Sequence, residues 1–155
     1  MRIRRTEEGL TFLLGARETR LVLSTLKLYP RMPVSHHQLS KSEKIPDGQA
    51  AQALLDDAVR EQRRANRREL EKLLNDPERF AKTKSGSRLK LSYSDAEWLL
   101  QVLNDIRVGS WVLLGSPELK FDPESIAPEE LKLYWEMELA GMLEMQLISA
   151  MNVGP

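Results

Sequence analysis

The sequence predicts a mainly α protein: a helical bundle of about four helices with a small N-terminal β-hairpin, in one domain over residues 1–155. Three observations lead there. Apolar residues recur at helical spacing in separate stretches. Prolines, serines and glycines cluster between those stretches and break them. Only the first fifteen residues and a short run near residue 90 follow the two-residue rhythm of strands.

The elements follow in order. In "RIRRTEEGLTFLLG", Ile3 alternates with charged neighbours, Glu7-Glu8-Gly9 supplies a turn, and residues 10–14 are β-prone. Val22, Leu23, Leu26 and Tyr29 predict a helix over 16–29, ended by Pro30 and Pro33. Residues 30–47 contain three prolines and few apolar side chains, so a mobile loop is expected. Asp47 is read as the cap of a long helix that stops at Asp76-Pro77. Leu89 and Leu91 alternate with Arg88 and Lys90, a pattern suited to a third strand on the hairpin. Ser94 and Glu97 match a capping box ahead of a helix that ends near Gly115. Pro128, Glu129 and Glu130 suit the first turn of a last helix running to about residue 151.

Composition narrows the function. The chain is 41% apolar and 30% charged, an ordinary globular mix. It has no long apolar run for a membrane helix and no secretory signal pattern, so no membrane partner is expected. It has no cysteine, which removes disulfides, thiolate nucleophiles and Cys-based zinc sites, and a cytoplasmic location is expected. Charge is uneven. Residues 1–94 carry twenty Lys/Arg against twelve Asp/Glu, a net of +8, and residues 95–155 carry three against eleven, a net of −8. Either the halves pack against each other, or one surface binds an anionic or acidic partner.

The run "WLLQVLNDIRVGSWVLLG" places Asn104, Asp105 and Arg107 inside an apolar stretch. On a helical wheel, Leu99, Val102, Leu103, Ile106 and Leu113 share one face. Asp105 points away from it toward water, Asn104 sits at its edge, and Arg107 projects along apolar surface. Arginine cannot shed its charge there, so it must reach water or meet an acid. Glu138 of the last helix is the leading candidate, with Glu136 and Glu18 behind it. An Arg107 left without an internal partner would point to anion binding.

Two further patterns concern binding. Arg60, Arg64, Arg67 and Arg68 form a stripe on the long helix, answered only partly by Glu61 and Glu69. It suits a solvated face, an acidic protein or nucleic acid, although no aromatic accompanies it to stack a base. The last helix is apolar on two sides. Leu131, Trp135, Leu139, Met142 and Leu143 form one face, and Tyr134, Met137, Met145 and Ile148 spread onto the other. That pattern suits either a central core helix or a methionine-rich surface for a protein partner or homodimer.

Signatures of chemistry are missing: no phosphate-binding glycine loop, nucleophile elbow or H-E-x-x-H motif occurs. His36 and His37 are adjacent in a proline-flanked loop without further ligands nearby, so no metal and no cofactor are expected. The stretch Leu103-Asn104-Asp105-Ile106-Arg107, after Ser94-x-x-Glu97, resembles the signature of an uncharacterised bacterial domain-of-unknown-function family often encoded near the Clp-protease adaptor. The hairpin "IRRTEEG" and the final helix are similar as well. The resemblance implies a small, mostly helical bacterial cytoplasmic protein and supplies no catalytic residue. The leading expectation is a non-enzymatic interaction or regulatory protein. The alternatives are an anionic-ligand or nucleic-acid binder using the arginine stripe, and an enzyme with a carboxylate/arginine site.

Overall fold

The computed structural model describes residues 1–36, 47–118 and 126–152. They form four α-helices and a four-stranded antiparallel sheet, so the predicted hairpin is half of a larger layer. Strands β1 (Arg2–Thr6) and β2 (Gly9–Gly15) pair as foreseen. Strand β3 (Phe80–Thr83) and strand β4 (Gly86–Ser92) make a second hairpin, and β4 docks beside β2 to give the order β1-β2-β4-β3. Register sets Leu10 opposite Leu91 and Phe12 opposite Leu89. These residues, with Leu14, are buried under the helices.

Helix α1 (Ala16–Leu26) leaves β2 directly. Glu18 caps it by accepting the Gly15 N–H at 2.7 Å and also holds the Met1 ammonium. The ammonium first, and that amide second, keep its carboxyl below the ordinary range. The helix ends three residues earlier than predicted, although Tyr29 is still buried. A short 3-10 turn, Val34–His36, occupies the start of the expected loop; residues 37–46, with His37, lie outside the described residues. Helix α2 (Gly48–Asn75) has the predicted length, but Asp47 adopts φ 58° and its side chain makes no capping bond. Helix α3 (Tyr93–Leu113) starts one turn before Trp98. Its cap is Ser92 rather than Ser94: the Ser92 hydroxyl accepts the Asp95 N–H at 3.1 Å and the Asp95 carboxylate accepts the Ser92 N–H at 3.0 Å. The last residue of β4 thus doubles as the helix cap, and aspartate replaces glutamate in the box.

Helices α1 and α3 lie on the inner face of the sheet, and helix α4 (Leu131–Asn152) packs along α3 and touches α1. Helix α4 begins just after Glu129 and Glu130, which sit in the preceding turn. Burial of Leu73, Leu99, Val102, Leu103, Ile106 and Leu147 beneath the sheet residues gives one continuous core. No described helix is long and apolar enough to cross a membrane.

Candidate functional site

The polar residues of α3 exchange the roles their wheel positions suggested. Asp105 does not face water. Its Oδ1 accepts the backbone N–H of Arg31 at 2.6 Å and of Met32 at 3.2 Å. Arg63 of α2 approaches Oδ2 at 3.9 Å and also donates to the Met32 carbonyl. Gly109, one turn along α3, completes the seat. A Cβ there would stand 2.5 Å from both the Arg31 carbonyl carbon and the Met32 nitrogen, so only glycine lets that segment lie on the helix. The Arg31 guanidinium then pairs with buried Glu136 of α4, which Lys132 approaches at 3.8 Å. Asp105 and Gly109 of α3, Arg63 of α2 and Glu136 of α4 therefore fasten the chain leaving α1 to three helices.

Arg107, by contrast, is the accessible residue. Its side chain is 44% exposed, and it bonds Glu144 at 2.7 Å and Asn104 at 3.0 Å. Glu138, the expected partner, is exposed on the other side of α4. The reason is local: Gly141 lets the arginine stem cross α4 with 3.2 Å between a would-be Cβ and Cδ, and so reach Glu144. Burial raises the Glu144 carboxyl above its ordinary range, and the Arg107 charge only partly counters this. Asn104 is exposed rather than bordering the core.

On α2, all four stripe arginines are exposed. Arg60 pairs with Asp57 and Arg64 with Glu61, each at 3.1 Å. Arg67 and Arg68 make no ion pair among the described residues. The helix is anchored through its last third. Leu70 and Leu73 are buried, Arg79 ties Glu69 to Asp95 at 3.0 and 2.9 Å, and Asn66 forms a buried hub. Asn66 donates to the Tyr29 hydroxyl at 2.8 Å and accepts the Trp98 N–H at 3.0 Å. Sequence reading gave Asn66 no part, because a lone asparagine among arginines carries no spacing signal.

A half-open apolar cleft between sheet and helices, lined by Met1, Leu14, Leu99 and Leu147, offers about 40 Å³, far below the roughly 150 Å³ at which an apolar cavity takes up benzene. Among the described residues no three His, Asp or Glu side chains are placed to hold a metal ion.

Helix α4 presents the most unusual surface. It buries Ala140, Leu147, Ala150 and the paired Glu136. Outward it carries Leu131, Trp135, Met142 and Met145, which are 42, 56, 44 and 68% exposed. With Glu138 and Ser149 these positions step along the helix by four and three residues alternately, the 3.5-residue period of a coiled-coil seam. Several large apolar residues thus point out while alanines point in. Grooves run along this face, one toward α1 beside Trp135 and Leu139, another toward α1 and β2 beside Met142. The sequence showed an apolar helix on two sides; only the packing decides which side the protein covers itself. Comparison with family models, curated proteins and solved structures gives no match for this chain.

Proposed function

We propose that this is a non-enzymatic interaction protein that docks another protein chain, a second copy included, on the outer face of α4. One observation carries the reading. A helix with free choice of face would bury tryptophan and methionine and expose alanine, since large side chains gain the most from leaving water. Helix α4 does the reverse at Trp135, Met142 and Met145. Aromatic and methionine side chains are also the types enriched where protein partners meet. A cytoplasmic setting and membership of the bacterial family that the Leu103–Arg107 stretch resembles belong to the same proposal. The arginine stripe supports a second reading, anion binding, through Arg67 and Arg68, whose charges find no carboxylate among the described residues.

Trp135→Gln combined with Met145→Gln is the deciding variant. Immobilised wild-type chain is expected to retain a defined protein, and the variant to lose it while keeping its far-ultraviolet dichroism. Equal retention by both overturns the proposal, as does a wild-type chain that sediments as a monomer and retains nothing.

A further inference from the structure

The sheet has a second face, turned away from the helices. Alternation along the strands puts Arg2 and Arg4 of β1, Thr11 and Leu13 of β2, and Arg88 and Lys90 of β4 on that side. Cross-strand register lines them up in two rows. Arg2 and Arg88 flank Leu13, and Arg4 and Lys90 flank Thr11. The strand geometry separates the cations by about 10 Å within a row and the rows by about 7 Å. None of the four makes an ion pair or a side-chain hydrogen bond among the described residues. The four strands contain no acidic residue; Glu7 and Glu8 lie in the turn at one end.

Protection of a free sheet edge accounts for part of this. Charged residues on an outermost strand deter strand-to-strand aggregation, and β1 is outermost. That reason does not reach Arg88 and Lys90, which lie on an interior strand. Nor does either residue have an acid opposite it: Arg88 stands between Leu13 and Ala81, and Lys90 faces Thr11. Four cations on one sheet face with no carboxylate among the strands call for an anion from outside.

We infer that this face binds the phosphate backbone of double-helical nucleic acid without reading its sequence. Phosphates supply the acceptors that arginine takes bidentately. A protein partner would need apolar anchors at the centre of the contact, and here only half-buried Leu13 and Ala81 are offered. Unpaired bases would need aromatic rings to stack on, and the outward strand positions have none. The site is separate from α4 and from the α2 stripe, and it stands whether or not α4 docks a protein.

The test is anisotropy of a labelled mixed-sequence duplex titrated with the full chain. Four phosphate contacts predict affinity falling about a hundredfold between roughly 50 and 200 mM salt. Arg4→Gln and Lys90→Gln, changed singly, are each expected to lower the slope of log affinity against log salt by about 0.9. Changing Arg2, Arg4, Arg88 and Lys90 together to Gln should abolish binding at unchanged dichroism. Changing the four stripe arginines of α2 to Gln should leave it intact. No binding at the lowest salt overturns the inference, and so does binding lost with the stripe rather than the sheet. Displacement of the duplex by polyglutamate at lower charge concentration than by unlabelled duplex would assign the face to acidic protein and likewise overturn it.

Discussion

The seat for residues 29–32 on α3 and the outer face of α4 are opposite kinds of surface. At the seat, the chain answers most of its own polar groups: Asp105 takes two amides, Arg31 reaches Glu136 through a terminal nitrogen while its Nε stays unpaired, and Gly109 removes the one side chain that would hold the segment off. On the outer face of α4 the described residues leave the apolar side chains largely uncovered. Trp135 and Met145 stay more than half exposed. A closed surface contributes to stability and is silent in binding. An open apolar surface contributes little to folding, so its composition needs a reason outside the chain.

The largest effects should therefore come from the seat. Gly109→Ala forces a methyl against backbone rather than a movable side chain, and the segment must lift. A loss of about 3 kcal/mol is expected, at the upper end for overpacking, because the Asp105 bonds go with it. Asp105→Ala removes the acceptor for two amides and the nearby anion for Arg63, and is expected to cost roughly 2–4 kcal/mol. Both act by releasing the same segment, so the double variant should lose clearly less than the sum. Chemical denaturation of the four proteins checks this. Strict additivity would mean that Asp105 and Gly109 do not share one task.

These two residues also mark how far the sequence could be read. The wheel separated Asp105 from the apolar face correctly in angle and wrongly in meaning. It knows where a residue points on its own helix, but not that a distant segment lies there. The four helices were legible because each repeats a local period many times. The second hairpin was half legible, since Leu89 and Leu91 alternate, while β3 is four residues long and gave no signal of its own. Arg107 was legible as a charge needing an acid. Its partner was not, because Gly141 decides how the stem crosses α4.

The Asn66 hub comes next in size. Asn66→Ala strands the Trp98 N–H and removes the donor to the Tyr29 hydroxyl, for a loss of about 2 kcal/mol. It also carries a pH signature. Burial raises the Tyr29 pKa, with the Asp105 charge adding to the rise and the Asn66 bond opposing it. The neutral phenol is therefore favoured in the fold. Its contribution is complete below the unfolded value of about 10 and is lost as pH rises through the raised folded value. Alkaline titration of tyrosinate absorbance should show one late-ionising tyrosine, ionising later still in Asn66→Ala if the fold holds. Tyr29 ionising at the same pH in wild type and Asn66→Ala would contradict the hub.

The Arg107–Glu144 pair lies between the closed and open surfaces, and smaller effects are expected. Arg107→Ala should cost under about 1 kcal/mol, because the guanidinium is partly solvated. Glu144→Gln separates desolvation from attraction. A raised folded pKa gives a contribution present below the unfolded value of about 4.3 and lost as pH rises through the folded value. The glutamine variant is neutral throughout, so it should equal the wild type in acid and match or slightly exceed it at neutral pH. A variant weaker at neutral pH, with the deficit closing in acid, would show attraction to Arg107 outweighing burial.

The smallest effect on folding, and the sharpest contrast with the seat, is expected on the outer face of α4. Trp135→Gln and Met145→Gln remove exposed apolar surface that touches little of the protein, so each should change stability by no more than about 0.5 kcal/mol. The three tryptophans make the same point without mutation of the fold. Trp98 is half-buried with its N–H on Asn66, Trp111 is 37% exposed, and Trp135 is 56% exposed. In dilute solution acrylamide should quench Trp135 most and Trp98 least, and Trp135→Gln should remove most of the accessible fraction. Adding the docked chain, or raising concentration if that chain is a second copy, should protect Trp135 and leave Trp98 unchanged. If Trp135 is already protected in the dilute monomer, its own chain covers the face and α4 is as closed as the seat. If it stays accessible when a partner is bound, the partner docks elsewhere.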